Sequence, residues 1–165
     1  MQYQIRAVKK KDDAALVKVI QDVFEEFDAP RTGTVYADPE LHYLSKVFPE
    51  SAFDKCLYVA ESSEGEVLGC CGLFPTDGLE KGYVELVKFY LAAKARGEGV
   101  GKALMQKCLD DARKMNYTHV YIESIPEFEA AIHLYNKFDF KRLNAPLGNT
   151  GHGNCNVWML KEIVY

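Results

Sequence analysis

Apolar positions recur along this chain with two different periods, and the changes from one to the other mark its elements. Tyr3 to Val8 alternates as a short strand. Leu16, Val19, Ile20, Val23, Phe24 and Phe27 then recur at helical spacing, behind an aspartate placed to cap and before a terminating Pro30. Asp38-Pro39 starts a second helix with proline in its first position, and Leu41, Leu44, Val47 and Phe48 supply the apolar face. Cys56 to Glu61 and Val67 to Phe74 form a hairpin around Ser63-Glu64-Gly65. In the next strand, Tyr83 to Leu91, strict alternation puts Tyr83, Glu85, Val87, Phe89 and Leu91 on one face. Lys88 and Tyr90 fall on the other. A helix from Lys102 to Met115, a strand from Thr118 to Ile122, a helix from Phe128 to Phe138 and a strand from Val157 to Leu160 complete the chain.

Strand, helix and strand on either side of residues 96–102 imply a parallel crossover, whereas the hairpin is antiparallel. The pattern predicts an α/β (mixed α+β) fold, with a single mixed sheet and helices on both faces. At 165 residues, with no linker or repeat, residues 1–165 form one expected domain.

Composition narrows the partners. Twenty basic against 24 acidic residues leave a net charge of −4, which argues against nucleic acid. No apolar run approaches a membrane span, and Met1 to Ile5 lacks the features of a signal peptide, so the expected compartment is the cytoplasm. Five cysteines are an odd count without a CxxC pair, and Cys70 and Cys71 face opposite sides of a strand. His152 and Cys155 come close in sequence without a third ligand beside them, so no metal is expected.

The densest chemical signal is Arg96-Gly97-Glu98-Gly99-Val100-Gly101-Lys102, between a strand and a helix. Three glycines in five positions permit left-handed backbone, and a helix start offers unpaired N–H groups to an anion such as phosphate. A nucleotide P-loop needs four residues before Gly-Lys and then Ser or Thr. Here three residues separate Gly97 from Gly101-Lys102, and Ala103 follows. A dinucleotide fingerprint fails on spacing as well.

The loop resembles the R/Q-x-x-G-x-G/A signature of the GCN5-related N-acetyltransferases, through Arg96, Gly99 and Gly101. Ala131 to Phe140 resembles that family's A-x-x-L-Y-x-K-x-G-F segment, and the order of elements matches over nearly the whole chain. The resemblance implies the acyl-CoA N-acyltransferase fold and acetyl-CoA as cofactor. It also implies transfer of the acetyl group to a primary amine, on a small molecule or on a peptide or protein. It places Arg96, Gly97, Glu98, Gly99, Val100, Gly101 and Lys102 at the pyrophosphate, and the backbone of Phe89, Tyr90 and Leu91 at the thioester. Two departures stand out: Asp139 replaces a glycine, and Phe128 replaces an asparagine that touches the cofactor in many relatives. A non-catalytic acyl-CoA-binding module on the same fold is the alternative, and monomer and homodimer both remain open.

Three acid–base candidates follow. Glu85 stands in an otherwise apolar strand, where burial raises a carboxyl toward neutrality and suits it to take a proton from an ammonium. Glu123, ending the next strand, is the rival base. Tyr135 matches the family tyrosine that protonates the coenzyme sulfur. Leu147 to Cys155, polar and glycine-rich, borders the acceptor pocket in the family, and it brings Asn149, His152 and Cys155 as candidate substrate contacts.

Overall fold

The computed structural model describes all residues, 1–165. Seven strands form one sheet: β1 Tyr3–Ala7, β2 Cys56–Ser62, β3 Val67–Phe74, β4 Tyr83–Leu91, β5 His119–Ser124, β6 Lys141–Arg142 and β7 Val157–Glu162. Their spatial order is β1-β2-β3-β4-β5-β7-β6. Only β4 and β5 run parallel, joined by the crossover helix α3, Val100–Lys114. All other neighbours are antiparallel.

Helices cover both faces, as the periodicity predicted. On one side α3 buries Leu104, Met105, Cys108 and Ala112 against Leu73, Val84, Leu86 and Val120, together with Tyr135 of α4, Glu129–Lys137. On the other side α1, Asp13–Glu26, buries Leu16, Ile20 and Phe24 against Val59 and Cys70. Cys70 and Cys71 do belong to opposite cores. Proline at 39 starts not an α-helix but a 3-10 turn, Pro39–Tyr43, that leads into the short α2, Leu44–Val47. The two-residue β6 is too short to leave a periodic signal.

Strict alternation fails in β4, and the failure shapes the site. Gly72 pairs with Val87 and Cys70 with Tyr90, so Lys88 and Phe89 together stand opposite the single residue Cys71. This is a β-bulge, and Lys88 takes the left-handed conformation there, φ 54°. The inserted residue inverts the faces beyond it. Phe89 and Leu91 join Val84 and Leu86 on the α3 side, while Tyr90 joins Val87 on the α1 side. The alternation read from the sequence is therefore correct up to Val87 and reversed afterwards.

The parallel seam is short. Only Tyr83, Val84 and Glu85 pair with β5, opposite His119, Val120 and Tyr121. Beyond Glu85 the two strands separate, and a cleft opens in the middle of the sheet.

Candidate active site

A cavity of about 470 Å³ occupies this cleft and is lined by Glu85–Leu91 of β4, Glu123–Ile125, residues of the 96–102 loop and α4. It has two chemically different ends.

The first end is made of backbone. Gly97 and Gly99 are left-handed, with φ of 76° and 81°. None of the six N–H groups from Gly97 to Lys102 donates a hydrogen bond within the protein. A row of free donors at the start of a fifteen-residue helix is a cradle for a phosphate-bearing ligand. A side chain at Gly97 or Gly99 would meet no protein atom, so the space above the loop is open. Gly101 is different. A Cβ there would lie 2.9 Å from the Leu91 side chain, so this glycine lets α3 approach β4 closely.

The side chains of Val100, Glu98 and Arg96 are engaged elsewhere. Val100 is buried in the α3 core, and Glu98 faces the chain's amino terminus. Arg96 lines the cavity, but its guanidinium grips both carboxylate oxygens of Glu26 at 2.8 Å and lies 5.1 Å over Phe27. It ties the loop to the end of α1. Phe128, in place of an asparagine, packs edge-on against Phe24 and Phe27 and near Tyr90, forming an aromatic wall.

The second end is made of side chains from separate segments. Glu85 is 6% exposed and accepts a 2.5 Å hydrogen bond from Thr76. Burial pushes its pKa up to about 7; the Thr76 bond opposes this, nearby Glu123 adds to it, and His152 and Lys88 restrain it. Glu123 is held by the Tyr121 hydroxyl and by Thr150, both at 2.6 Å. Lys88, buried at the bulge, donates to Asp38 at 3.0 Å. Asp38 in turn meets His152 Nε2 at 2.8 Å. Burial drives the His152 imidazole toward its neutral form, but the Asp38 hydrogen bond and charge overcome this and raise its pKa.

Tyr135 lines the cavity from α4, and its hydroxyl makes no hydrogen bond to the protein; burial holds its pKa above the ordinary tyrosine value. Cys155 also lines it, and burial and the surrounding carboxylates keep it a thiol, pushed up to about 12. Asn149 does not. Its N–H bonds the Asp77 carbonyl at 2.7 Å and fixes the loop to the β3–β4 turn. Asp139 takes the left-handed conformation, φ 65°, that the replaced glycine would have taken.

Three members of this network were not evident in the sequence. Asp38 read as a helix start, Lys88 fell on the wrong face because of the bulge, and Thr76 follows β3 without any motif. Nor could spacing show that Glu123 comes to lie beside His152 and Cys155, with ligand-type atoms within 4.8 Å of one another.

The family model described as "Acetyltransferase (GNAT) family" matches residues 19–140. An uncharacterized N-acetyltransferase of Escherichia coli K12, YjgM, is 33% identical over 160 residues, covering 96% of this chain and 94% of that protein. The chain belongs to the GNAT family. It is accordingly an N-acetyltransferase, and its acceptor is an amine. Solved structures agree on the fold: a GNAT acetyltransferase of Staphylococcus aureus Mu50 superposes with TM-score 0.83 at 18% identity, covering 98% and 99% of the two chains. PaiA N-acetyltransferase of Thermoplasma acidophilum, solved with coenzyme A, superposes with TM-score 0.72 at 17% identity over 98% and 99%. No helix of this GNAT chain is long and apolar enough to cross a membrane.

Proposed function

We propose that the chain, acting as one catalytic domain over residues 1–165, binds acetyl-CoA and promotes direct attack of a primary amine on it. The observation that carries this reading is the meeting, in one cavity, of a glycine loop whose N–H groups are free with an elevated carboxyl and a buried tyrosine whose hydroxyl is unbonded. The donor set fits a pyrophosphate: it is contiguous, at a helix start, and free of competing side chains. Bound acetyl-CoA supplies an acyl thioester whose carbonyl accepts the nucleophile.

The chain's own residues do the rest. The 97–102 amides anchor the charged end of the ligand. Beyond Glu85 no strand pairs with β4 on its β5 side, so the backbone N–H groups of Phe89 and Leu91, which alternate away from β3, are left to the cleft, whereas that of Tyr90, like that of Ala92, points to β3. Those of Phe89 and Leu91 steady the carbonyl oxygen as charge builds on it. Glu85, poised near 7, takes the proton from the acceptor ammonium, and Thr76 orients its carboxylate. Tyr135 donates its hydroxyl proton to the departing sulfur. Glu123 is bound twice by hydroxyls, so it suits holding the acceptor better than accepting its proton. His152 and Cys155 complete that acceptor wall.

The direct test is acetyl-CoA affinity by calorimetry, combined with thiol release over a panel of primary amines. We expect micromolar binding and amine-dependent release. Binding without release for any amine, or no binding, would overturn the proposal.

A further inference from the structure

We propose that Glu123, His152 and Cys155 form a binding site for a thiophilic divalent cation of the zinc class. One ligand-type atom from each residue lies within 4.8 Å of the other two. An imidazole nitrogen, a thiol sulfur and a carboxylate oxygen are together the donor set that selects zinc over magnesium or calcium. A tetrahedron with zinc's usual bond lengths has edges of roughly 3.5 Å, so closure takes about an ångström. Gly151 and Gly153 flank His152, and neither has a neighbour within 4 Å of where its Cβ would stand, so the loop has room for that shift.

The supporting contacts set this cluster apart from a chance one. Metal-bound imidazoles and carboxylates are characteristically oriented by hydrogen bonds from behind. Asp38 holds His152 through Nε2 at 2.8 Å, so Nδ1 is the ring nitrogen without a protein partner. Tyr121 and Thr150 each donate to Glu123 at 2.6 Å. Lys88 fixes Asp38 from the far side at 3.0 Å. Three carboxylates, Glu85, Glu123 and Asp38, surround the group with only Lys88 and His152 in compensation, so a dication is electrostatically welcome. Coordination exchanges the Cys155 S–H bond for a sulfur–metal bond and releases that proton to solvent. No electron moves. All three ligands line the cavity, so a fourth can come from solvent there.

One consequence rests on the proposed acceptor pocket: a cation here occupies the place of the incoming amine. Zinc then inhibits acetyl transfer competitively with the amine and not with acetyl-CoA, and a chelator restores the rate.

The binding test needs no substrate, so its outcome is separate from that of the catalytic reading. Cobalt(II) added to the full chain should give a thiolate-to-metal charge-transfer band with the visible bands of four-coordination. Cys155→Ser should abolish the charge-transfer band, whereas Cys56→Ser should keep it. His152→Ala and Glu123→Gln should each weaken zinc roughly tenfold or more in chelator competition. In the unaltered protein, zinc should protect Cys155 from alkylation, read by peptide mass. This second readout stands even if a variant misfolds. A band that survives Cys155→Ser, no band in the unaltered chain, or Cys155 alkylated equally with and without zinc would overturn the site.

Discussion

The two ends of the cavity are built on different principles. The 96–102 loop is one continuous segment, and it offers its backbone to a ligand while the side chains of Val100, Glu98 and Arg96 go to the core, the amino terminus and α1. The reactive end takes Asp38, Thr76, Glu85, Lys88, Glu123, His152 and Cys155 from separate stretches of chain and works through side chains. A backbone cradle recognises any pyrophosphate and tolerates sequence change between its glycines. A side-chain cluster is specific, and each member depends on its neighbours for orientation and charge. On the proposed reading, one end fixes what is held and the other decides what happens to it.

Substitutions should separate the ends by kinetic signature. The largest effect is expected for Glu85→Gln: kcat/KM should fall about 10³-fold at pH 8, with acetyl-CoA affinity unchanged. The acidic limb of the pH–rate profile, with its midpoint near 7, should disappear as well. The same variant should gain stability in alkali. Glu85 moves from an ordinary 4.5 to about 7 on folding, so the folded chain holds this proton more tightly than the unfolded one. Stability is thus lost as pH rises through that window, by on the order of 3 kcal/mol once both states are ionised. Gln carries no such loss, and thermal melts at pH 5 and pH 8 read the difference. If Glu123→Gln removes the limb and Glu85→Gln does not, the base is Glu123.

Tyr135→Phe comes next, with kcat lowered about 10²-fold and cofactor affinity kept, since only a hydroxyl without protein partners is lost. The glycine loop should give the opposite split. Gly99→Ala should weaken acetyl-CoA about tenfold by calorimetry, with kcat at saturation preserved, and cost about 1 kcal/mol of stability for a side chain at positive φ. A Gly99→Ala protein with unchanged affinity but a reduced kcat would erase the distinction between the two ends.

The same contrast explains how much could be read in advance. The glycine loop is local, so spacing alone exposed it, and long periodic runs gave α1, α3, the central hairpin and the two-faced sheet with boundaries close to those observed. Glu85 was visible as an acid in an otherwise apolar strand, and Tyr135 only through the likeness of its segment to the family's. Asp38 and Lys88 were not, since their meaning lies in a pairing across 50 residues of chain. A one-residue bulge leaves no compositional trace, yet it reversed the alternation beyond Val87 and brought Lys88 to Asp38. Tertiary juxtaposition, rather than weak local signal, set the limit.

The short β4–β5 seam has a further consequence, for association between chains. Beyond Glu85, β4 shows an unpaired edge in the middle of the sheet. Exposed edges of this kind invite a strand from a neighbouring molecule and seed aggregates. Here the edge lies at the bottom of a cleft walled by Phe24, Phe128 and Leu134, and the left-handed Lys88 breaks its regular spacing. A second chain cannot lay a flat strand against it, whereas a slender extended molecule can lie along it. The protein thus keeps an open rail of peptide groups ready for its ligand, in a place where polymerisation has no purchase.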